Sequence, residues 1–409
     1  MPECLRPNFP ASISDLDQEL TLRPKTWDQS PQILFSTMTP LSDISAFVKQ
    51  AARNAGFELT GIAPVRDFPE LDRFTDWIDA GHAGEMEYMK SRHETGRLKR
   101  TSLRSTIPWA RSVIVCAVNY NTAEPLSTQV SDSQRGWISR YAWGQEDYHN
   151  AVMKRLRVVE AALNRYCDDS CRRRAAKHFA AGDSLPADQF QTRCYVDTGP
   201  VVERVYAKYA GVGWIGKNTC ILNQQIGSWL FLGVIVTSLE LEADLPAPDR
   251  CGSCTRCIDA CPTDALIAPY QLDSNKCISY LTIEKRGMIP EEIRGAMGRH
   301  VFGCDICQDV CPWNRRVPPG TAAEFQPRDG LVNPALDWLA EMSAEEFQGT
   351  FRGSPIQRAK RSGLRRNAVI AIGNSGDPGF KPVVDRLTKD EDPILAEHAC
   401  WAQQKLSAS

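Results

Sequence analysis

Apolar residues recur at intervals of three and four positions in several segments of the chain, and elsewhere they form short unbroken runs. The first pattern is typical of amphipathic helices, and short runs rich in β-branched residues are typical of buried strands. The intervals predict helices near residues 42–51, 71–78, 148–167 and 201–210. The runs predict strands near residues 57–62, 112–118, 193–197 and 226–236.

The order of these elements divides the chain into four segments. Residues 1–38 are polar and carry no predicted element, so we expect them to form a disordered extension. Residues 39–240 mix strands with helices, which predicts an α/β domain within a chain of the α+β class. Residues 241–334 hold an acidic, proline-containing linker and a dense block of cysteines, and residues 335–409 are predicted to be helical.

Composition narrows the class of protein further. The 409 residues are 42% hydrophobic and 24% charged with a net charge of -2, which is typical of a globular protein rather than a disordered or fibrous one. No apolar run in the sequence approaches the roughly 18 residues of a membrane helix. Residues 1–38 lack the apolar core of a secretory signal, so we expect a cytoplasmic protein with no membrane partner.

Fifteen cysteines are the unusual feature of the composition. In a long chain expected in a reducing compartment, they indicate metal or redox chemistry rather than a disulfide scaffold. One run has the spacing of bacterial ferredoxins, x2-x2-x3 and then proline: Cys251, Cys254, Cys257 and Cys261. A second run repeats the later positions and lacks the first: Cys304, Cys307 and Cys311. Cys277 is the nearby thiol that can replace the missing one.

The ferredoxin rule, in which the last cysteine of each run binds the other cluster, assigns these eight thiols to two [4Fe–4S] clusters. The first predicted set is Cys251, Cys254, Cys257 and Cys311. The second predicted set is Cys261, Cys277, Cys304 and Cys307. Structural zinc fits this spacing poorly, because zinc sites favour cysteine pairs separated by about 12–20 residues. The other cysteines are expected to be buried small apolar residues: Cys4, Cys116, Cys167, Cys171, Cys194, Cys220 and Cys400.

Four polar motifs accompany the strands upstream of the cysteine block, and none is a glycine-rich nucleotide loop. They are residues 140–149 (Arg-Tyr-Ala-Trp-Gly to Asp-Tyr-His), 195–200 (Tyr-Val-Asp-Thr-Gly-Pro), 213–218 (Gly-Trp-Ile-Gly-Lys-Asn) and 227–233 (Gly-Ser-Trp-Leu-Phe-Leu-Gly). With these motifs, the eight cysteines and the run Arg-Arg-Asn-Ala-x-Ile-Ala-Ile-Gly-Asn at 365–374, the chain resembles the cobalamin-dependent epoxyqueuosine reductases of tRNA queuosine biosynthesis.

The resemblance implies an enzyme that reduces epoxyqueuosine to queuosine in the anticodon loop of tRNA, the last step of queuosine biosynthesis. In that family the N-terminal domain binds cob(II)alamin, two [4Fe–4S] clusters supply its electrons, and a HEAT-like helical tail binds tRNA. A monomer and a low-potential electron donor, such as a ferredoxin or flavodoxin, are expected. The departing oxygen needs a proton, and the resemblance assigns it to Asp197. The implied cobalamin contacts are Arg97, Arg140, Asp197, Lys217, Asn218, Ile221, Ser228 and Leu232.

Between residues 352 and 366 the chain has six basic residues and no acidic one, a concentration typical of an interaction surface. Leu364, Ala368 and Ile372 give the helix predicted here an apolar face. The basic residues are therefore expected on an opposite, exposed face that attracts RNA phosphates. With two basic residues near the cysteine block, the candidate tRNA contacts are Lys285, Arg286, Arg358, Lys360, Arg361, Arg365 and Arg366.

Three other functions fit parts of this pattern. A reductive dehalogenase would share the corrinoid and the clusters, but the respiratory members carry twin-arginine signals and lack a basic helical tail. A non-catalytic electron-transfer ferredoxin fused to a binding domain would leave the upstream motifs without a role. A tRNA-binding protein with structural clusters would leave bound tRNA chemically unchanged. Corrinoid binding and conversion of the tRNA base discriminate among these functions.

Overall fold

The computed structural model describes residues 41–178 and 190–408. The extension predicted for residues 1–38 lies outside the described residues. The described residues form one compact unit. The boundaries predicted near residues 240 and 334 therefore fall within a single body and stay predictions.

Strands and helices are mixed in the first part of the chain, and helices predominate towards its end. The strands are β1 (Leu59–Pro64), β2 (Ser112–Asn119), β3 (Trp137–Ile138), β4 (Thr192–Tyr195), β5 (Trp214–Ile215), β6 (Ile221–Leu222), β7 (Leu230–Thr237) and β8 (His300–Phe302). The α-helices are α1 (Leu41–Asn54), α2 (Pro69–Asp79), α3 (Leu103–Thr106), α4 (Tyr148–His178), α5 (Glu203–Tyr209), α6 (Arg256–Asp259), α7 (Ile278–Ile283), α8 (Glu291–Arg294), α9 (Ile306–Asp309), α10 (Leu336–Glu341), α11 (Ala344–Phe351), α12 (Lys360–Ser375), α13 (Lys381–Leu387) and α14 (Pro393–Ala408).

Strands β1, β2, β7 and β4 form one sheet in that order. Every residue of β2 is buried, because successive side chains point to opposite faces and both faces are covered. On one face, Ile114 belongs to an apolar cluster with Leu156 of α4. On the other, Val113 belongs to a cluster with Tyr206 of α5. The sheet is therefore the middle layer between two sets of helices.

The strand pairing corrects the α/β prediction for residues 39–240. An α/β domain is built on parallel strands joined by helices, whereas all three pairings in this sheet are antiparallel. A hydrophobic run indicates that a strand is buried, but it does not indicate the direction of the neighbouring strand. The α+β class of the whole chain agrees with the observed mixture of helices and antiparallel strands.

The segment that carries the cysteine runs consists mainly of loops and short helices. Strand β8 pairs in parallel with β3, which ties this segment to the N-terminal part of the chain. Helices α6 and α9 pack against each other. Cys257 and Cys307 occupy the second position of α6 and α9 respectively. The two cysteine runs therefore fold as two similar turns that face one another.

Helix α12 is the centre of the C-terminal helices. It packs against both α10 and α14, and the continuous stretch Leu364–Gly373 is buried. A Cβ atom on Gly373 would lie 2.6 Å from the Trp401 ring and 3.1 Å from the backbone of Ala402, so glycine permits the close approach of α12 and α14. Within the part of the chain that the structure describes, no helix combines the length and the apolar character needed to cross a bilayer.

Candidate functional site

The first predicted set of cluster thiols lies together where the first cysteine run meets the end of the second. Cys251 and Cys254 are close enough to Cys257 and Cys311 for their charges to act on both thiols. Burial, and then the charges of the neighbouring thiols, raise the pKa of Cys257 and raise that of Cys311 to about 11. Thiolates held this close need a positive partner, which a bound metal centre supplies.

The second predicted set also converges. Cys304 lies near Cys277 and Cys261, and Cys307 lies near Cys304 and Cys277. Burial raises the pKa of Cys277, and it raises that of Cys304 well above its ordinary value. Among the described residues, no three His, Cys, Asp or Glu side chains are placed to hold a single metal ion. A [4Fe–4S] cluster instead takes one thiolate at each of four irons, and four thiols gather in each set.

A ninth thiol adjoins the second set, and sequence reasoning missed it. Cys220 shares a hydrogen bond with Cys307, which raises the pKa of Cys307 and lowers that of Cys220 to about 7. The sequence placed Cys220 among the cysteines expected to be buried small apolar residues. No spacing signal could have found this contact, because the two cysteines are far apart in the chain and meet only through the fold.

Two residues predicted to contact cobalamin hold the cysteine loops in place. The Lys217 ammonium group donates to the carbonyl oxygens of Gly252 and Cys254, at 2.6 and 2.9 Å. The side-chain amide of Asn218 donates to the carbonyl oxygen of Cys307 at 3.3 Å. The loop after β5 is therefore hydrogen-bonded to both cysteine runs.

Most of the other predicted cobalamin contacts are also engaged within the protein. Arg140 is buried, and its guanidinium donates to two carbonyl oxygens of the 122–124 loop, each at 2.9 Å. The Ser228 hydroxyl donates at 2.8 Å to the side chain that follows Cys307. Arg97 forms an ion pair with an aspartate at 3.9 Å. Two more residues pack with the apolar cluster on one face of the sheet: Ile221 and Leu232.

A cavity of about 1610 Å³ lies beside the second set of thiols. Its volume exceeds the roughly 300–1,000 Å³ of pockets that bind small ligands. Cys277 is part of its wall. Of the eight residues predicted to contact cobalamin, all of which the structure describes, Asp197 alone is part of the wall. Other side chains of the wall that can bind or orient a ligand are Tyr88, Tyr148, Glu203, Trp214, Tyr280 and Arg358.

Asp197 lies in the turn between β4 and α5 with a φ of 55°. Aspartate tolerates this left-handed conformation better than most residues, and such positions cluster at functional sites. The Tyr148 hydroxyl donates a hydrogen bond to the Asp197 carboxylate. Burial, and then the nearby charge of Asp197, raise the pKa of Tyr148 well above its ordinary value, so the hydroxyl remains a donor.

Arg358 connects this carboxylate to the C-terminal part of the chain. Its guanidinium lies over the Tyr148 ring, 5.1 Å from the ring centre. It also pairs with Asp147 at 3.1 Å. The sequence indicated separate roles for Asp197 and Arg358, and the fold brings both into contact with Tyr148.

Three polar atoms of the wall residues are buried and have no hydrogen-bond partner among the described residues: Glu203 Oε1, Trp214 Nε1 and Arg358 Nη1. Buried polar groups in folded proteins are nearly always paired. One of these atoms accepts hydrogen bonds and the other two donate them. A large ligand with both amide oxygens and amide N–H groups would therefore satisfy this wall.

Five of the predicted tRNA contacts are not buried, and one of them, Arg358, is part of the cavity wall. Lys360 and Arg286 are exposed, and the others are half-buried. Lys285 pairs with Glu85 at the surface. Arg286 donates to the carbonyl oxygen of Arg358 at 2.9 Å. We call this group the basic rim: Lys285, Arg286, Arg358, Lys360 and Arg361.

The other two predicted tRNA contacts, Arg365 and Arg366, are buried, so their predicted place on an exposed face is wrong. Arg366 is 3% exposed and donates to three backbone carbonyl oxygens within residues 281–287, at 2.7–3.0 Å. Arg365 pairs with Asp390 at 2.8 Å. The periodic pattern shows which face of a helix is apolar, but it does not show that a second layer covers the other face.

Arg366→Ala should lower the free energy of unfolding by about 2–4 kcal/mol, because it leaves buried carbonyl groups without donors. Arg352→Ala is the matched control, since Arg352 is exposed and its loss should change stability by no more than about 0.5 kcal/mol. Urea denaturation followed by circular dichroism measures both variants. Equal stability of the two would contradict the structural role of Arg366.

Two family models of known proteins match parts of this chain. A family model described as "Epoxyqueuosine reductase QueG, DUF1730" matches residues 100–198, and a "4Fe-4S double cluster binding domain" model matches residues 250–314. The epoxyqueuosine reductase of Synechocystis sp. is 41% identical over 313 residues, which is 75% of this chain and 98% of that protein. The chain belongs to the epoxyqueuosine reductase family.

Solved structures of epoxyqueuosine reductases have the same mixed fold of helices and strands. A crystal structure of a reductase with an epoxyqueuosine-modified tRNA-Tyr stem loop is similar with a TM-score of 0.76 and 29% identity, covering 90% of this chain and 91% of that one. A Bacillus subtilis reductase, with its catalytic aspartate loop swung out of the active site, is similar with a TM-score of 0.75 and 28% identity, at the same coverage of 90% and 91%.

Membership in the epoxyqueuosine reductase family decides between the functions that the sequence left open. The chain is an oxidoreductase with a domain of the kind that binds two [4Fe–4S] clusters. The relatives favour a reductase of tRNA queuosine biosynthesis over a reductive dehalogenase or a non-catalytic ferredoxin fusion.

Proposed function

We propose that this chain reduces epoxyqueuosine to queuosine in the anticodon loop of tRNA, the last step of queuosine biosynthesis. The observation that carries the proposal is the similarity, over 90% of the chain, to a reductase solved with an epoxyqueuosine-modified tRNA stem loop. The geometry supports it, because the Asp197 carboxylate and Cys277, a proposed cluster ligand, are both part of the wall of one large cavity.

Two [4Fe–4S] clusters are the proposed path for electrons. One would be held by Cys251, Cys254, Cys257 and Cys311, and the other by Cys261, Cys277, Cys304 and Cys307. The support is the convergence of each set of thiols and the facing placement of α6 and α9. Since Cys277 is part of the cavity wall, the second set is the one placed to deliver electrons there.

The cavity is the proposed site of cob(II)alamin. Its volume of about 1610 Å³ and its buried polar atoms without partners fit a large ligand that carries many amide groups. Bound cobalamin would supply a strongly reducing cobalt centre. Asp197 would face it directly. The other proposed cobalamin contacts are not part of the cavity wall in this structure: Arg97, Arg140, Lys217, Asn218, Ile221, Ser228 and Leu232.

Asp197 is the proposed proton donor to the departing oxygen. Its carboxyl group belongs to the cavity wall and is oriented by the Tyr148 hydroxyl. The short turn that carries it, with a φ of 55°, is compatible with the catalytic aspartate loop named for the Bacillus subtilis reductase. A general acid must lie within hydrogen-bonding distance of the atom that it protonates, which a wall position permits.

The basic rim is the proposed surface for tRNA. One of its residues, Arg358, is part of the wall of the cavity that would receive the modified base, and single-stranded loop bases are the part of RNA that proteins can draw into a pocket. Arg358 would be shared between the rim and the active site, since it also lies over the Tyr148 ring. Arg365 and Arg366 are left out because both are buried.

Lys360→Ala should weaken binding of a tRNA anticodon stem-loop and reduce the slope of log affinity against log salt concentration by about 1, the effect of losing one phosphate contact. Lys389→Ala is the matched control, because Lys389 is exposed on the same C-terminal helical part of the chain but outside the rim. Fluorescence anisotropy across a salt series measures both variants. An unchanged slope for Lys360→Ala would remove it from the tRNA surface.

The proposed chain has three functional parts and receives its electrons from a separate protein. The cobalamin-binding part would correspond to residues 39–240, the cluster part to 241–334 and a HEAT-like tail to 335–409. The helix pairs around α12 support the last of these. A low-potential donor such as a ferredoxin or flavodoxin would supply electrons, and the protein would act as a monomer in the cytoplasm.

The proposal is tested by giving the anaerobically purified protein cobalamin, a low-potential reductant and tRNA that carries epoxyqueuosine. Mass spectrometry of the digested nucleosides then measures conversion. We expect epoxyqueuosine to be replaced by queuosine over several turnovers. Unchanged epoxyqueuosine, from protein that has bound iron, cobalamin and tRNA, would contradict the proposal and favour a tRNA-binding protein with structural clusters.

A further inference from the structure

Removal of an epoxide oxygen consumes two protons, whereas Asp197 can supply one. Both C–O bonds break, a double bond forms between the two carbons, and the oxygen leaves as water: epoxide + 2 e⁻ + 2 H⁺ → alkene + H₂O. The two electrons come singly from the low-potential donor through the clusters. The first proton turns the opened oxygen into a hydroxyl group, and the second lets that hydroxyl leave as water. The chemistry therefore calls for a second acid near the first.

Glu203 carries a second carboxyl group, close enough to Asp197 for their charges to interact. It is the first residue of α5, the helix that follows the Asp197 turn. It is 9% exposed and part of the cavity wall. Its Oε1 atom is buried without a hydrogen-bond partner among the described residues. An ionised carboxylate in such a place is costly, so the group favours its protonated form or a ligand that donates to it.

The charges that act on Glu203 come from three elements. Burial, and then the negative charge that Asp197 carries once it has given up its proton, raise the pKa of Glu203 to about 7. The backbone N–H of Glu203 itself, Arg100 in the turn Lys99–Thr101, and Arg204 on α5 oppose this rise by smaller amounts. Glu203 thus retains its proton at pH values where a glutamate in water has lost it.

We infer that Glu203 is the second proton donor of the reaction, which protonates the departing hydroxyl from the cavity wall after Asp197 has protonated the opened epoxide oxygen. The inference rests on the proposed function. It accounts for a buried glutamate whose Oε1 atom has no partner among the described residues, in the wall that holds Asp197. Both carboxyl groups would regain protons from water that enters the cavity after product leaves.

The test is the single-turnover rate of queuosine formation by pre-reduced, cobalamin-loaded protein across a pH series. The wild-type rate should fall as pH rises through about 7, because the donor is active only when protonated. Glu203→Gln should be about 100-fold slower and should lose this dependence on pH. Glu203→Asp should recover part of the rate, with the fall in rate moved to a different pH.

Glu160→Gln is the matched control, because Glu160 is also 9% exposed but lies outside the cavity wall, paired with Arg157. It should keep the wild-type rate and pH profile. A wild-type profile in Glu203→Gln would overturn the inference and leave the proposed function intact. If Glu203→Gln cannot be loaded with cobalamin, Glu203→Asp decides: an unmoved profile overturns the inference. Failure of the wild-type protein to form queuosine at all would instead refute the proposed function.

Discussion

Asp197→Asn should lower the single-turnover rate of queuosine formation by about 10²–10⁴-fold, the usual contribution of a general acid. Iron content, cobalamin binding and tRNA affinity should stay unchanged. Asparagine has nearly the shape of aspartate and has no acidic proton. It also tolerates the left-handed backbone at this position, where φ is 55°. The Tyr148 hydroxyl can still donate to the amide oxygen, so the turn should keep its place.

Asp264→Asn is the matched control for this variant. Asp264 also has a left-handed backbone, with a φ of 51°, and it is exposed and outside the cavity wall. Its replacement should leave the rate at the wild-type value, which shows that the substitution is tolerated in this backbone conformation. Wild-type turnover by Asp197→Asn itself would remove Asp197 from the role of proton donor.

Cys277→Ala should reduce the iron content from about eight to about four per chain and abolish queuosine formation. Cys277 lies near Cys304, which is also near Cys261, and it is part of the cavity wall. Loss of this thiol removes a ligand from the cluster placed to deliver electrons to the cavity. Iron and sulfide analysis, with electron paramagnetic resonance of the reduced protein, measures the clusters, and nucleoside analysis measures turnover.

Two further cysteine variants test whether the effect is specific to Cys277. Cys400→Ala is the control, because Cys400 is exposed on α14, and it should keep about eight irons and full activity. Cys220→Ala tests the alternative ligand, since Cys220 shares a hydrogen bond with Cys307, and it should also keep both clusters. Loss of iron from Cys220→Ala, with full iron in Cys277→Ala, would contradict the proposed second set.

Sequence patterns predicted a helix or strand correctly where the cause of that element lies within its own residues. The predicted helix at 148–167 and strand at 112–118 correspond to α4 and β2, because periodicity and β-branched runs act within one element. The cysteine spacing likewise predicted which thiols lie together, since cluster ligands two residues apart share one turn of chain. The structure places Cys311 near the thiols of the first run, and Cys261 near Cys304. The assignment of the thiols to two [4Fe–4S] clusters stays a prediction.

Long-range contacts could not be predicted in this way. The contact of Tyr148 with both Asp197 and Arg358 joins three distant segments, and no pattern in any one of them indicates it. The burial of Arg366 could not be predicted from the sequence either. Its charge suggested an exposed surface, but the free carbonyl groups around α7 give a buried guanidinium enough partners. Hydrophobic runs likewise could not predict whether neighbouring strands of the sheet are parallel or antiparallel.

The yield of queuosine per electron, measured with and without bound cobalamin, tests the central claim most directly. Protein with both clusters filled is reduced by a counted number of electrons and mixed with epoxyqueuosine-containing tRNA. We expect about one queuosine for every two electrons when cobalamin is bound, and none from protein that carries the clusters alone. Queuosine formed without cobalamin, or none formed by protein with about eight irons and one cobalt, would contradict the account.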